Sequence, residues 1–240
     1  MLLAQHIECW QPTVDDHAAL VHAQCLYEST LDADERIPWV WIERSVFERE
    51  PAANGWCKHL ILARVNDDLA GLVYGAFLPG FGGYLCYVTI DERYRKLGLA
   101  TRLYDAFESA IREDALAAGE QLPFLLWESY RPEADDNDAA FKLWQARTRL
   151  FERVGGLWVR GLVLQTPNFD GSGAPTVPMQ VFIKPIDEPA ETFDDLRLQD
   201  VTAELLQRVY GQDLGDKLWD ATFDTDVLFQ LTSPLEASGV

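Results

Sequence analysis

The sequence predicts a mixed α/β domain in which a mostly antiparallel central sheet carries one parallel strand pair and is flanked by helices. Three observations point there. Apolar runs of strand length follow one another closely through residues 60–90. The hydrophobic period then switches from strand to helix within one short connection, and another apolar strand returns after that helix. At 240 residues the chain is one large domain, or one domain with an appendage, and 48% hydrophobic residues can fill a complete core.

Residues 7–10 are the first strand. Thr13, with Asp16 three residues on, forms a capping-box pattern with Asp in the Glu position. Val14, Ala18, Val21 and Cys25 then give the apolar face of a helix. His17 and His22 do not share a face and are expected in solvent. A second helix over 38–47 has Pro38 near its first turn, and its Trp39, Trp41 and Phe47 suit either the core or the wall of a substrate pocket.

Residues 60–65 and 69–77 are strands joined at Asn66-Asp67-Asp68, and residues 79–83 turn the chain into a third strand over 84–90. From Leu99 a stripe of Leu99, Leu103, Phe107 and Ile111 marks a helix that ends near Gly119. Residues 124–128 form the strand after it, and a strand, crossover helix and strand favour a parallel pair. An acidic stretch over 133–138 leads to a helix with Ala140, Leu143, Trp144 and Phe151 on one face. Strands over 157–164 and 179–184 close the domain. Beyond Glu188, residues 189–240 form a partly helical appendage, with Leu198, Val201, Leu205 and Val209 on one face and more apolar residues over 219–231. Packing on the domain and packing on a partner chain, as in a homodimer, both stay open.

Several function classes are excluded by composition. The four cysteines are scattered without a Cys-x-x-Cys, and the four histidines make no His-Glu-x-x-His, so no disulfide scaffold and no metal are expected. A formal charge of −19 argues against nucleic acid, whose phosphates need clustered Lys and Arg. It suits solubility, and it also attracts cationic amines. The amino terminus has no basic n-region, and no apolar run is long enough to span a bilayer, so a cytoplasmic protein without membrane contact is expected.

The strand-to-helix turn carries the chemistry. Arg95-Lys96-Leu97-Gly98-Leu99-Ala100-Thr101 puts a flexible Gly and a small Ala where the helix begins, leaving first-turn N–H groups open to an anion. Arg95, Lys96 and Arg102 add positive charge. No Gly-x-Gly-x-x-Gly and no Gly-x-x-x-x-Gly-Lys-Ser/Thr loop competes. Arg95-x-x-Gly98-x-Ala100 after a strand resembles the acyl-CoA pyrophosphate loop of the GNAT superfamily of N-acyltransferases. Leu150-Phe151-Glu152-Arg153-Val154-Gly155-Gly156 resembles the phrase that closes the last helix of that fold. Together with the element order, the resemblance covers most of residues 7–188, here taken as the acyltransferase domain.

The resemblance implies transfer of an acyl group, most often acetyl, from acetyl-CoA as cosubstrate to an amine on a small molecule or protein, by direct attack. It implies that backbone groups near Val88, Thr89 and Ile90 hold pantetheine where the central strand and the 124–128 strand splay apart, and that residues 95–101 hold the diphosphate. The position of a general-base Glu in some lysine acetyltransferases of this fold falls on Tyr84. The Tyr that protonates the leaving thiolate in many members is replaced by Phe151, which has no proton to give. Glu128 is then the best remaining base and Tyr130 a candidate acid. Cys86, within an apolar strand, suits a small inert hydrophobe better than an acyl carrier. The rival reading, motivated by Phe151, is a non-catalytic acyl-CoA binder or sensor of the same fold.

Overall fold

The structure is a computed structural model that describes residues 6–47, 55–133, 136–171, 174–223 and 227–238. The chain divides into two compact units, Met1–Leu122 and Pro123–Val240, each a sheet with helices. Among the described residues no helix is long and apolar enough to cross a membrane.

The first unit contains β1 (Ile7–Trp10), α1 (His17–Thr30), α2 (Trp39–Phe47), β2 (Cys57–Val65), β3 (Asp68–Leu78), β4 (Gly82–Ile90) and α3 (Leu99–Ala118). Its strands lie in the order β1-β2-β3-β4, each antiparallel to the next. Alternation along β3 sorts the two faces. Leu72 and Tyr74 join Leu20, Tyr27, Trp39 and Ile42 in a core under α1 and α2. Gly71 and Gly75 point the other way, toward α3. A Cβ on Gly75 would stand 2.5 Å from Phe107 Cζ and 2.9 Å from the Leu85 Cα, and one on Gly71 would stand 2.7 Å from Ile90 Cδ1. The helix therefore sits closer to the sheet than any side chain on those two residues would allow.

The α3 stripe is buried as its spacing predicts: Leu99, Leu103, Phe107 and Ile111 all face the sheet. Gly119, at φ +72, closes the helix by donating its N–H to the Ala115 and Leu116 carbonyls. On β4 the register slips so that Tyr87 opposes Tyr74 and Leu85 opposes Gly75, leaving Cys86 as the extra residue of a bulge. Cys86 and Tyr87 then both pack toward the α1–α2 core.

The apolar face expected for α1 is corrected. Ala18 and Cys25 are exposed, as are Val14 and Val21, the latter at 58%, and the buried stripe is Leu20, Ala23 and Tyr27. This region carries two apolar stripes. The one turned inward holds the larger side chains, and Tyr27 also donates its hydroxyl to the Ile37 carbonyl at 3.0 Å. The expected Thr13 capping box is replaced by a turn ahead of the helix, because α1 starts after Asp16; Asp16 Oδ2 accepts from Thr13 N at 2.7 Å, a bond that holds its carboxyl below the usual range. His17 and His22 are exposed. On α2, Trp39 is in the core, whereas Trp41 and Phe47 stand 47% and 50% exposed.

The second unit contains β5 (Phe124–Tyr130), α4 (Asp138–Arg153), β6 (Leu157–Pro167), β7 (Thr176–Pro185), α5 (Asp195–Tyr210), α6 (Gln212–Thr222), β8 (Gln230–Thr232) and the short α7 (Pro234–Ala237). Its strands lie in the order β5-β7-β6-β8, again antiparallel. Trp127, Phe151 and Phe182 cluster in its core, Trp127 stacked on Phe182 and the Phe151 and Phe182 ring centroids 4.6 Å apart. Gly156 makes room for them, because a Cβ there would lie 2.5 Å from Trp127 Cη2. Residues 189–223 and 227–238 are part of this unit. Phe193 meets Phe124 edge-on, β8 extends the sheet beside β6, and Trp144 Nε1 donates to the Ala237 carbonyl at 3.2 Å. Part of the apolar 219–231 stretch, residues 224–226, lies outside the described residues.

The seat of α3 is testable by size alone. Gly75→Ala should lower stability by roughly 1–3 kcal/mol, the usual cost of overpacking a tight core. Chemical denaturation reads this directly, and an unchanged midpoint would mean that α3 does not lie so close to β3.

Candidate functional site

The loop between β4 and α3 is built in three steps. First, Asp91 ends the strand and folds a 3₁₀ turn, Glu92–Tyr94, by accepting from Arg93 N at 2.9 Å. Its carboxylate also grips the Arg93 guanidinium at 2.7 Å, and those hydrogen bonds hold the carboxyl below the usual carboxylate range. Second, the Tyr94 hydroxyl donates to the Asp68 carboxylate at the β2–β3 hairpin, a bond that raises the Tyr94 pKa. The loop is thus tied to the hairpin, and Arg93 is already paired. Third, Lys96 at φ +71 and Gly98 at φ +77 bend the chain into the helix axis.

Gly98 accepts the first helical hydrogen bond, from Arg102 N at 3.2 Å, so the amides of Leu99, Ala100 and Thr101 have no acceptor within the helix. A Cβ built on Gly98 meets nothing within 4 Å, which leaves the space in front of it open. Arg95, Lys96 and Arg102 are exposed, and among the described residues no carboxylate lies within ion-pair distance of them. Open amides, the positive end of the α3 dipole and three cations come together here in a chain of charge −19.

Of the other expected cosubstrate contacts, Val88 and Ile90 pair with Val73 and Gly71 and so share the α3 face of the sheet. Thr89 turns to the opposite face, where its hydroxyl is bonded to that of Thr30. Thr89 therefore has only its backbone to offer a ligand. Leu99 is in the core, so it too has only its backbone to offer.

The candidate acid–base residues divide between the units. Tyr84 lies in the first, buried and paired with Ala76. Glu128 and Tyr130 lie in the second, half-buried on the β5 face opposite Trp127. Tyr130 donates its hydroxyl to Asp136 Oδ2 at 3.3 Å, and the same oxygen accepts from Glu133 N at 2.8 Å. Asn137 caps α4 by accepting from Ala139 N and Ala140 N, each at 3.0 Å. The acidic stretch is thus in part the start of a helix; Asp135 lies outside the described residues. Phe151 is a core ring of the second unit. Among the described residues no group of three or more His, Cys, Asp or Glu is placed to hold a metal ion.

Four residues in and beside the loop, Asp91, Arg93, Tyr94 and Asp68, carry roles that sequence reasoning passed over. Asp91-x-Arg93 is a local turn pattern that could have been noticed. Asp68 could not, because its partner Tyr94 is 26 residues away.

Comparison with known proteins identifies the family. The sequence matches the model of the acetyltransferase (GNAT) family over residues 23–146, just over half of the chain. Among solved structures, an acetyltransferase of the GNAT family from Streptococcus pneumoniae is 20% identical, with a TM-score of 0.50 over 75% of this chain and 100% of that one. Another from Staphylococcus aureus is 13% identical, with a TM-score of 0.47 over 75% of this chain and 99% of that one. At these identities the likeness is one of fold. No curated protein matches the sequence. The matched segment contains β4, the braced loop and all of α3, and the chain belongs to the GNAT family of acetyltransferases.

Proposed function

We propose that the protein is an N-acetyltransferase that moves an acetyl group from acetyl-CoA to an amine. The observation that carries this reading is the opening of α3, where unbonded amides, an uncrowded Gly98 and Arg95, Lys96 and Arg102 converge on a site for a diphosphate. The Leu97, Gly98, Leu99, Ala100 and Thr101 backbone donates to the phosphate oxygens. Main-chain groups of Val88, Thr89 and Ile90 align the pantetheine arm.

In the reaction the amine nitrogen bonds to the acetyl carbon as the carbon–sulfur bond breaks. Glu128 takes the proton that the amine gives up, directly or through water, and Tyr130 returns a proton to the departing thiolate. The Tyr130 proton points at Asp136 Oδ2, so that bond gives way when the proton goes to the thiolate. Tyr84 is the alternative base, acting through water. Phe151 supports a second reading, an acyl-CoA binder without turnover, since its ring is core packing and has no proton to give.

Two variants test these assignments. Gly98→Glu places bulk and negative charge in front of the amides and should abolish acetyl-CoA binding in a calorimetric titration, whereas Gly98→Ala, which carries the same strain at positive φ, should retain most of it. Unchanged affinity in Gly98→Glu would remove the loop from the cosubstrate site. Glu128→Gln keeps shape and loses basicity, so turnover should fall by about 10²–10⁴ with acetyl-CoA affinity intact. Equal turnover would pass the role to Tyr84, and no turnover by the wild type over a broad amine panel would favour the binder.

A further inference from the structure

A second site lies at the other end of α3. A cleft of about 540 Å³ is bordered there by Gln11, Cys57, His59 and Asp114, with apolar lining from Phe77 and Pro79. Asp114 is sixteen residues past Gly98, about 24 Å along the helix at 1.5 Å per residue, so the cleft is separate from the loop. It has the size and the mixed lining of a small-molecule site.

Its polar groups favour one sign of charge. His59 Nε2 meets Asp114 Oδ2 at 2.5 Å, and His59 Nδ1 meets Gln11 Oε1 at 3.3 Å. The other Asp114 oxygen has no hydrogen bond among the described residues. The Gly119 and Glu120 amides close on the carbonyls of Ala115 and Leu116, which leaves those of Ala117 and Ala118, both bordering the cleft, without donors among the described residues. These carbonyls are the negative end of the α3 dipole. Cys57 adds no charge, because burial and then Asp114 push its thiol upward. Lys58 also borders the cleft, but it is one residue out of phase with His59 on β2.

We propose that this cleft binds a small organic cation, an ammonium group on an apolar body, as a ligand separate from the acyl donor. The ammonium donates to the second Asp114 oxygen and to the Ala117 and Ala118 carbonyls, and the apolar body lies against Phe77 and Pro79. An anion is repelled by the same carboxylate and the same helix end. The proposal does not depend on the cosubstrate assignment of the loop.

The test uses the full chain with isotope-labelled histidine, whose four residues give a countable set of ring signals. His59 is assigned by its loss in His59→Gln. The probes are 2-phenylethylammonium and its neutral counterpart 2-phenylethanol. The His59 signal should shift to saturation with the ammonium and stay in place with the alcohol. Asp114→Asn, which keeps an oxygen for His59, should weaken binding by about tenfold or more, as expected for loss of a charge-assisted contact. Ala118→Arg sets a competing cation at an exposed position that suits a basic side chain, and should block binding even if Asp114→Asn folds poorly. Acetyl-CoA affinity should be equal in the wild type and Ala118→Arg. No saturable His59 shift, equal response to the alcohol, or unchanged affinity in Ala118→Arg would overturn the proposal.

Discussion

The close seat of α3 on Gly71 and Gly75 is the contact on which the first unit depends. Glycine at both positions lets the helix settle against the sheet with Leu103 and Phe107 in direct contact with strand backbone. Once the helix is fixed there, both of its ends are fixed too. At one end Gly98 turns the chain and leaves three amides open; at the other Gly119 closes the helix beside a cleft that Ala117 and Ala118 border. The helix is held by packing, and its polarity is then available at both ends for opposite charges.

The loop before the helix shows how a turn is made rigid without filling the space it must keep clear. Asp91 draws Arg93 back onto its own turn, and Tyr94 is tied to Asp68 on the neighbouring hairpin. The cations left over, Arg95, Lys96 and Arg102, are those beside the open amides. A loop braced from behind loses little further freedom when a ligand arrives, which favours binding by preorganisation.

Much of this was legible in the sequence, for reasons that differ between elements. The switch of period between β4 and α3 and the Leu99, Leu103, Phe107 and Ile111 stripe are local signals, and the helix they mark runs where they place it. The loop could be read because Gly98 and Ala100 belong to a pattern that depends on backbone shape. α1 was misread because it carries two apolar stripes, and the choice between them rests on tertiary contacts such as Tyr27 with Tyr87. β8 was missed since three residues carry no period; pairing with Trp158, Val159 and Arg160 makes them a strand. The His59–Asp114 contact joins residues 55 apart and leaves no trace in either neighbourhood. Acid and base roles depend on where a proton can travel, which residue types alone do not specify.

The central claim is that the opening amides of α3 hold the diphosphate of the acyl donor. Amide NMR of the labelled full chain, titrated in parallel with CoA and with pantetheine, tests it most directly, because pantetheine has the same arm and no diphosphate. The account predicts that the Leu99, Ala100 and Thr101 amide signals move with CoA and stay in place with pantetheine. Equal movement with both ligands, or none with CoA, would contradict it.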